Sequence, residues 1–438
     1  MNAIPAIETQ PRQKIKTFQE GKLKELLTYV AKHALFYQRH FARNKININS
    51  IQHLEDLSII PPTTKNDLQL FNWDFLCTPK SKIAEYTSTS GTLGKPVIMA
   101  LTQNDVQRLA YNEALSFACA GCRADDIFQL MVTLDRQFMA GMAYYEGIRK
   151  LGAALIRTGP GLPVIQWETI KRLKTTVLVA VPSFLVKINE YASEHGIPLN
   201  AASVKRAICI GEGFRNQDFL LNSLGKRISQ DWNIRLYGTY ASTEMQTAFT
   251  ECEHGLGGHQ HPELIIVELL DDDNQPVAEG QPGEVTVTTL GVEGMPLIRF
   301  KTGDVCQAHY NQCPCGRTTL RLGPVLGRKQ QMIKLKGTTL YPPAVFDVIN
   351  QVHEVADYVV EVFTNDMGLD DLRIHIATHD SVKAPAEIKI KSAFNSRIRV
   401  TPEIVFSSME QIQKMQVSGN GRKINRLADL RKSMLNNH

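Results

Sequence analysis

Residues 86–97, YTSTSGTLGKPV, place hydroxyls at Thr87, Ser88, Thr89, Ser90 and Thr92, glycines at Gly91 and Gly94, and a cation at Lys95. Glycine lets a backbone turn tightly and bring its N–H groups against a polyanion. Hydroxyls donate to phosphate oxygens, and a lysine neutralises charge. The stretch therefore reads as a phosphate cradle, with a polar loop that holds no ligand as the competing reading of these residues alone. It is not a Walker loop, which needs four residues between its first glycine and a Gly-Lys-Ser/Thr; Gly91 and Gly94 are too close. Two later stretches also carry the residue types of an active site: Gly211-Glu212-Gly213-Phe214, and YGTYASTEM at residues 237–245.

Such loops need elements to hold them. A chain of 438 residues exceeds one ordinary core, so two or three domains are expected. Hydrophobic content of 43% and charged content of 21% are those of a globular protein. The net charge of +5 is mild; it argues against nucleic acid or a membrane surface as partner and suits an anionic small substrate. No apolar run is long enough to span a bilayer, and the first sixteen residues lack the apolar core of an export signal. A cytoplasmic protein is expected, and eight cysteines, too sparse for a disulfide scaffold, agree with a reducing compartment.

Residues 12–45 read as two amphipathic helices, and Thr63 or Thr64 can cap a third that starts near Lys65. Beyond the phosphate loop, strand-like runs at 127–132, 152–156, 176–181 and 207–210 alternate with helical patterns at 104–120, 165–173 and 185–195. Strand alternating with helix predicts a layered α/β domain with a largely parallel sheet, whose ligands bind at the carboxyl ends of the strands. From 265 to 302 the pattern changes to alternating strands joined by turns, which predicts a small antiparallel or barrel-like unit. The remainder predicts a small α+β domain, dividing the chain into 1–328 and 329–438.

The order of motifs resembles the adenylate-forming superfamily of acyl-CoA synthetases, adenylation domains and luciferases, and within it the phenylacetate-CoA ligase branch. TSTSGTLGKP is similar to the family's phosphate loop, YASTE at 240–244 to its adenine and magnesium motif, and RFKTGD at 299–304 to its ribose motif. GRKQQMIKLKG at 327–337 is similar to its hinge, and GRKINRLADLR at 421–431 to its terminal lysine motif. The resemblance implies ATP- and Mg²⁺-dependent activation of a carboxylate as acyl-AMP, followed by capture with the thiol of coenzyme A. An adenylase that serves a carrier-protein thiol or an amine stays open, as does an inactive nucleotide- or acyl-binding protein. A homodimer is also within the range of the branch.

Residue chemistry agrees with the roles this resemblance implies. Tyr240 offers a flat face for adenine with Ala241 beside it, Thr243 a hydroxyl, and Glu244 a hard carboxylate for Mg²⁺. Asp304 can accept from ribose hydroxyls, and Lys423 can stabilise charge at the α-phosphate. Glu212 and Arg328 complete the nucleotide set, Gln330 marks the hinge pivot, and Arg136, Phe138, Phe214 and Tyr237 are the acid-pocket candidates. Two departures stand out: the hinge has Gln330 and Gln331 where the family has acids, and Gly211-Glu212-Gly213 lacks the branch's proline. Charged Asp135 and Arg136 would be out of place in an apolar aryl pocket. Inward, Arg136 could hold a polar substrate; outward, the loop is solvated.

Cys252, His259, Cys313 and Cys315 make a three-thiol, one-imidazole set of the structural zinc type, which some members of the branch carry. His254 and His261 compete for the fourth position. Cys119 and Cys122 have no second pair and read as buried small residues.

Overall fold

The computed structural model describes residues 4–89, 96–335, 338–365, 369–378, 383–397, 402–417 and 425–431. The chain divides into two compact units, Met1–Val325 and Leu326–His438, against an expected division after residue 328.

The first unit opens with helices α1 (Arg12–His33), α2 (Leu35–Arg43) and α3 (Lys65–Leu70). Leu23, Leu26, Leu27 and Val30 recur at helical spacing and bury one face of α1 in the main core. Thr64 is the cap of α3: the Asp67 amide donates to its hydroxyl oxygen, and the Asp67 carboxylate accepts from the Thr64 amide. A hairpin of β1 (Ile83–Ser88) and β2 (Ile98–Thr102) follows.

Alternation then begins with α4 (Gln103–Cys119), β3 (Ile127–Leu130), α5 (Met139–Leu151), β4 (Ala154–Arg157) and α6 (Pro163–Leu173). It continues through β5 (Val177–Ala180), α7 (Pro182–Glu194), β6 (Arg206–Ile210), α8 (Ser223–Ser229) and β7 (Arg235–Ser242). Next come β8 (Thr247–Glu251), β9 (Gly258–His259), β10 (Ile265–Leu270), β11 (Pro282–Thr289), β12 (Phe300–His309) and β13 (Arg321–Leu322).

These strands lie in the order β10-β11-β12-β13-β9-β8-β7-β6-β5-β3-β4. β4, β3, β5, β6 and β7 pair in parallel, and β8 returns antiparallel to β7. The antiparallel strands expected over 265–302 are therefore a wing of this same sheet, joined edge to edge rather than set apart. The third of them is β12, displaced toward the C-terminus from the expected 297–302. β7 is the switch strand, parallel on one side and antiparallel on the other, which is where ligands of such sheets gather.

The second unit contains β14 (Gly327–Arg328), β15 (Ile333–Leu335), β16 (Thr338–Leu340), α9 (Pro342–Ile349), β17 (Asp357–Thr364) and β18 (Asp370–Ala377). It continues with α10 (Lys383–Arg397), β19 (Glu403–Phe406), α11 (Met409–Gln416) and β20 (Leu427–Asp429). Its sheet runs β19-β18-β17-β20, and Val360, Val362, Ile374 and Ile376 pack with Ile390 and Phe394 in a core of its own. Among the described residues, no helix is long and apolar enough to cross a membrane.

Candidate active site

The phosphate-loop stretch is mounted on the β1–β2 hairpin. At its neck the Thr89 amide donates to the Val97 carbonyl (3.0 Å) and the Val97 amide to the Thr89 hydroxyl oxygen (3.0 Å). Accepting through oxygen leaves the Thr89 hydroxyl its own proton to donate. The Ser88 amide donates to the Gln137 carbonyl, 3.0 Å away, which ties this neck to the loop ahead of α5. Ser90, Gly91, Thr92, Gly94 and Lys95 lie outside the described residues, and so does Lys423.

At the end of β7 the chain reverses through Thr243–Gln246, with the Gln246 amide donating to the Ser242 carbonyl (3.3 Å). Glu244 sits on this turn, 7% exposed, with Oε1 3.2 Å from Lys65 Nζ. Lys65 was not among the residues singled out from sequence. What brings it here is the residue before its cap: the Thr63 amide donates to the Arg299 carbonyl and the Lys301 amide to the Thr63 carbonyl, fastening the start of α3 to the 299–304 motif. Arg299 is itself buried, with a φ of 47° and an ion pair to Glu268 at 3.0 Å. The turn has a second anchor in Arg108 of α4, which donates to the carbonyls of Gln246 (2.7 Å), Leu290 (2.7 Å) and Leu264 (2.6 Å). Burial pulls this guanidinium down to about 10, so it stays charged at neutral pH.

Tyr240 and Asp304 meet directly. The Tyr240 hydroxyl donates to Asp304 Oδ2 at 3.0 Å, so the adenine and ribose motifs form one patch beside the Glu244 turn. Burial, then the Asp304 charge, push the Tyr240 phenol well above its ordinary range. Ala241 is exposed and Thr243 half-buried on the same strand end and turn.

Other expected site residues are placed differently. Both oxygens of Glu212 are taken by Ser183, from its amide (2.9 Å) and its hydroxyl (3.0 Å), so Glu212 caps the start of α7. Phe214 and Tyr237 are core side chains, 3% and 4% exposed. Phe214 packs so closely that a Cβ on Gly238 would lie 3.3 Å from its ring. Phe138 is half-buried just before α5. Arg136 corrects the pocket reading: it is exposed and, among the described residues, its ion pair is with Asp135, while Arg136 and Gln137 take successive left-handed conformations with φ of 60° and 57°. Arg328 is half-buried in β14, and Gln330 is exposed in a short 3₁₀ turn, Lys329–Gln331.

The opposite end of β8 carries a second constellation. The ligand atoms of Cys252, His259, Cys313 and Cys315 all lie within 4.8 Å of one another. Cys252 and Cys313 sulfurs are 3.6 Å apart, and Cys315 is 3.5 Å from His259 Nε2. Tetrahedral bonds of about 2.3 Å to sulfur separate the sulfurs by about 3.8 Å, so the set fits zinc. His259 Nδ1 is engaged by Thr319 (3.3 Å), which turns Nε2 toward the thiols, and burial holds its imidazole below the usual range, in the neutral form a metal needs. Hydrogen bonding from Cys252 pulls Cys315 far down, while Cys252 and Cys313 are pushed up.

The competing histidines lie elsewhere: His254 is exposed beside Glu253, and His261 bonds Glu8. Burial would push the Glu8 carboxyl up, yet His261 and Arg317 hold it below the ordinary carboxylate range. Cys119 packs on the sulfur group while Cys122 joins a different core, because α4 stops at Cys119 and Gly121, at φ 75°, turns the chain between them.

A family model described as AMP-binding enzyme matches residues 50–293, more than half of the chain. The chain belongs to the AMP-binding enzyme family. Within this family it resembles the phenylacetate-coenzyme A ligases. The one from Thermus thermophilus is 29% identical over 377 residues, covering 85% of this chain and 83% of that one. The Escherichia coli protein of the same name is 25% identical over 390 residues and 86% of each chain. Among solved structures, 2-hydroxyisobutyryl-CoA ligase in the postadenylation state has a TM-score of 0.83 at 22% identity, covering 98% of this chain and 94% of that one, a likeness of fold.

Proposed function

We propose that this chain is an AMP-forming carboxylate–CoA ligase. In the first half-reaction an acid oxygen attacks the α-phosphorus of ATP, the bond to pyrophosphate breaks and acyl-AMP forms. In the second, the coenzyme A sulfur attacks the acyl carbon, the thiol proton goes to solvent, and AMP leaves with the bonding pair. The observation that carries this reading is the meeting of Glu244, Lys65, Tyr240 and Asp304 at one end of the switch strand in an AMP-binding enzyme.

Asp304 and Tyr240 would hold the ribose and adenine, and Thr89 with the 90–95 stretch the leaving phosphates. Glu244 would hold Mg²⁺, which supplies charge neutralisation at the phosphate oxygens. Lys65 balances the Glu244 charge before nucleotide arrives and is placed to follow it onto phosphate. The pairing with residues 1–328 as the binding domain and 329–438 as a lid, with Gln330 as pivot and Lys423 brought to the α-phosphate, follows the resemblance of the hinge and terminal motifs. Cys252, His259, Cys313 and Cys315 would hold a structural zinc, whose place beyond β8 suits shaping rather than chemistry. The names of the curated relatives favour an aryl or arylacetic acid, and the core positions of Phe214 and Tyr237 move its pocket toward Phe138 and the start of α5.

The test is acid-dependent ATP–pyrophosphate exchange over aryl, fatty and hydroxy acids, followed by coenzyme A, carrier-protein and amine acceptors. Exchange with an arylacetic acid and thioester formation with coenzyme A are expected, and Lys423→Ala should abolish exchange while ATP still binds. ATP binding without exchange for any acid would refute the ligase reading.

A further inference from the structure

Glu8 is fully buried, on a short 3₁₀ turn, Ala6–Thr9. Its Oε2 accepts from Arg317 Nε at 2.6 Å, and its Oε1 lies 2.5 Å from His261 Nδ1. Each partner adjoins one half of the sulfur–imidazole cluster. His261 is two residues beyond His259, and Arg317 two beyond Cys315, whose sulfur accepts from Arg317 Nη1 at 3.6 Å. Arg317 also closes the knuckle through backbone, its carbonyl accepting from the Cys313 amide at 3.0 Å. The next residue holds the segment in turn: the Thr318 amide donates to the Glu8 carbonyl (2.9 Å), and the Thr318 hydroxyl to the Gln10 carbonyl (2.5 Å). One carboxylate thus bridges the 259–261 segment and the 313–317 knuckle, the two pieces a metal would have to bring together.

We infer that Glu8 is a positioning residue for the Cys252/His259/Cys313/Cys315 site, and that zinc occupancy and the docking of residues 4–11 stabilise each other through Arg317 and His261. This rests on the reading of the cluster as a zinc site. Outer groups that orient ligands typically change metal affinity by about 10–100-fold when removed. Coupling of two binding events is reciprocal, so a segment that tightens zinc is itself held by zinc.

Full-length zinc-loaded protein, Glu8→Gln, Glu8→Ala and Glu268→Gln are challenged with a chelator, and zinc release is followed with a metallochromic dye. Glu268→Gln removes an acid, 15% exposed, from its pair with the buried Arg299 and controls for loss of a largely buried ion pair. Release at least about tenfold faster from Glu8→Ala is expected, less from Glu8→Gln, and none from the control. In wild type alone, hydrogen exchange at the Glu8, Gln10 and Thr318 amides should rise when zinc is removed, a measurement that decides the matter even where a variant fails to fold. Equal release from all forms with unchanged exchange would overturn the coupling. A wild type that takes up no zinc would overturn the metal site itself, and the coupling with it.

Discussion

β8 has a constellation at each end, and the two are built on opposite terms. The strand is five residues long, so the Glu244 turn and Cys252 stand about 17 Å apart along it at about 3.4 Å per residue, with Tyr240 opposite Phe249 between them. At the Glu244 end the groups are charged or hydroxylic, Lys65 keeps 30% of its side chain exposed, and the Lys65–Glu244 and Tyr240–Asp304 contacts are 3.2 and 3.0 Å long. At the Cys252 end three of the four groups are buried, and Thr319, Arg317 and Glu8 hold them from behind. The first arrangement leaves Lys65, Tyr240 and Asp304 partly in contact with water, which suits groups that exchange partners. In the second, any ligand that leaves exposes nothing and strands buried charge, which suits a group that is kept.

The comparison can be broken most directly at Glu244. Glu244→Gln should lower acid-dependent ATP–pyrophosphate exchange by about a thousandfold, the upper range for one lost charge-stabilising group, with little change in Tm. A fall below about tenfold would remove Glu244 from the reacting end. Arg108→Met asks whether the turn has a buried backing of its own. Three carbonyls would lose their donor, so denaturant titration should show a loss of about 3 kcal/mol and exchange should fall with it. Full stability would mean that the turn holds itself and that only the cysteine end is braced. The smallest effect belongs to Tyr240→Phe, which removes one exchangeable hydrogen bond to Asp304; about 1 kcal/mol, read as roughly a fivefold rise in KM for ATP, is expected. A much larger loss would show that this bond is structural and that the nucleotide end is less open to trade than its exposure implies.

Local chemistry was legible in the residues. Thr64 caps α3 through Asp67, three residues away, and the alternation of strand and helix from 104 to 242 follows from periodicities that the chain carries segment by segment. The cysteine–histidine set was legible too, because thiols and imidazoles advertise their chemistry wherever they fall. Lys65 and Arg108 were not, since a lysine at a helix start or an arginine inside one reads as a solvated charge. Arg108 meets Gln246 across 138 positions and Glu8 meets Arg317 across 309. Two of the aromatic candidates, Phe214 and Tyr237, lie in the core for a related reason: such a side chain is the same in a core as in a pocket, and burial is not a property of a residue type.

From sequence alone came the types of most elements between 104 and 210, the motif order and the candidate ligand residues, because these depend on residue identity and on spacing within a few turns of chain. Tertiary structure alone decided that the antiparallel strands continue the parallel sheet, that Glu212 caps a helix, and that Lys65 faces Glu244. Those outcomes depend on which distant backbones pack together, and packing is set by the whole buried surface rather than by any local stretch.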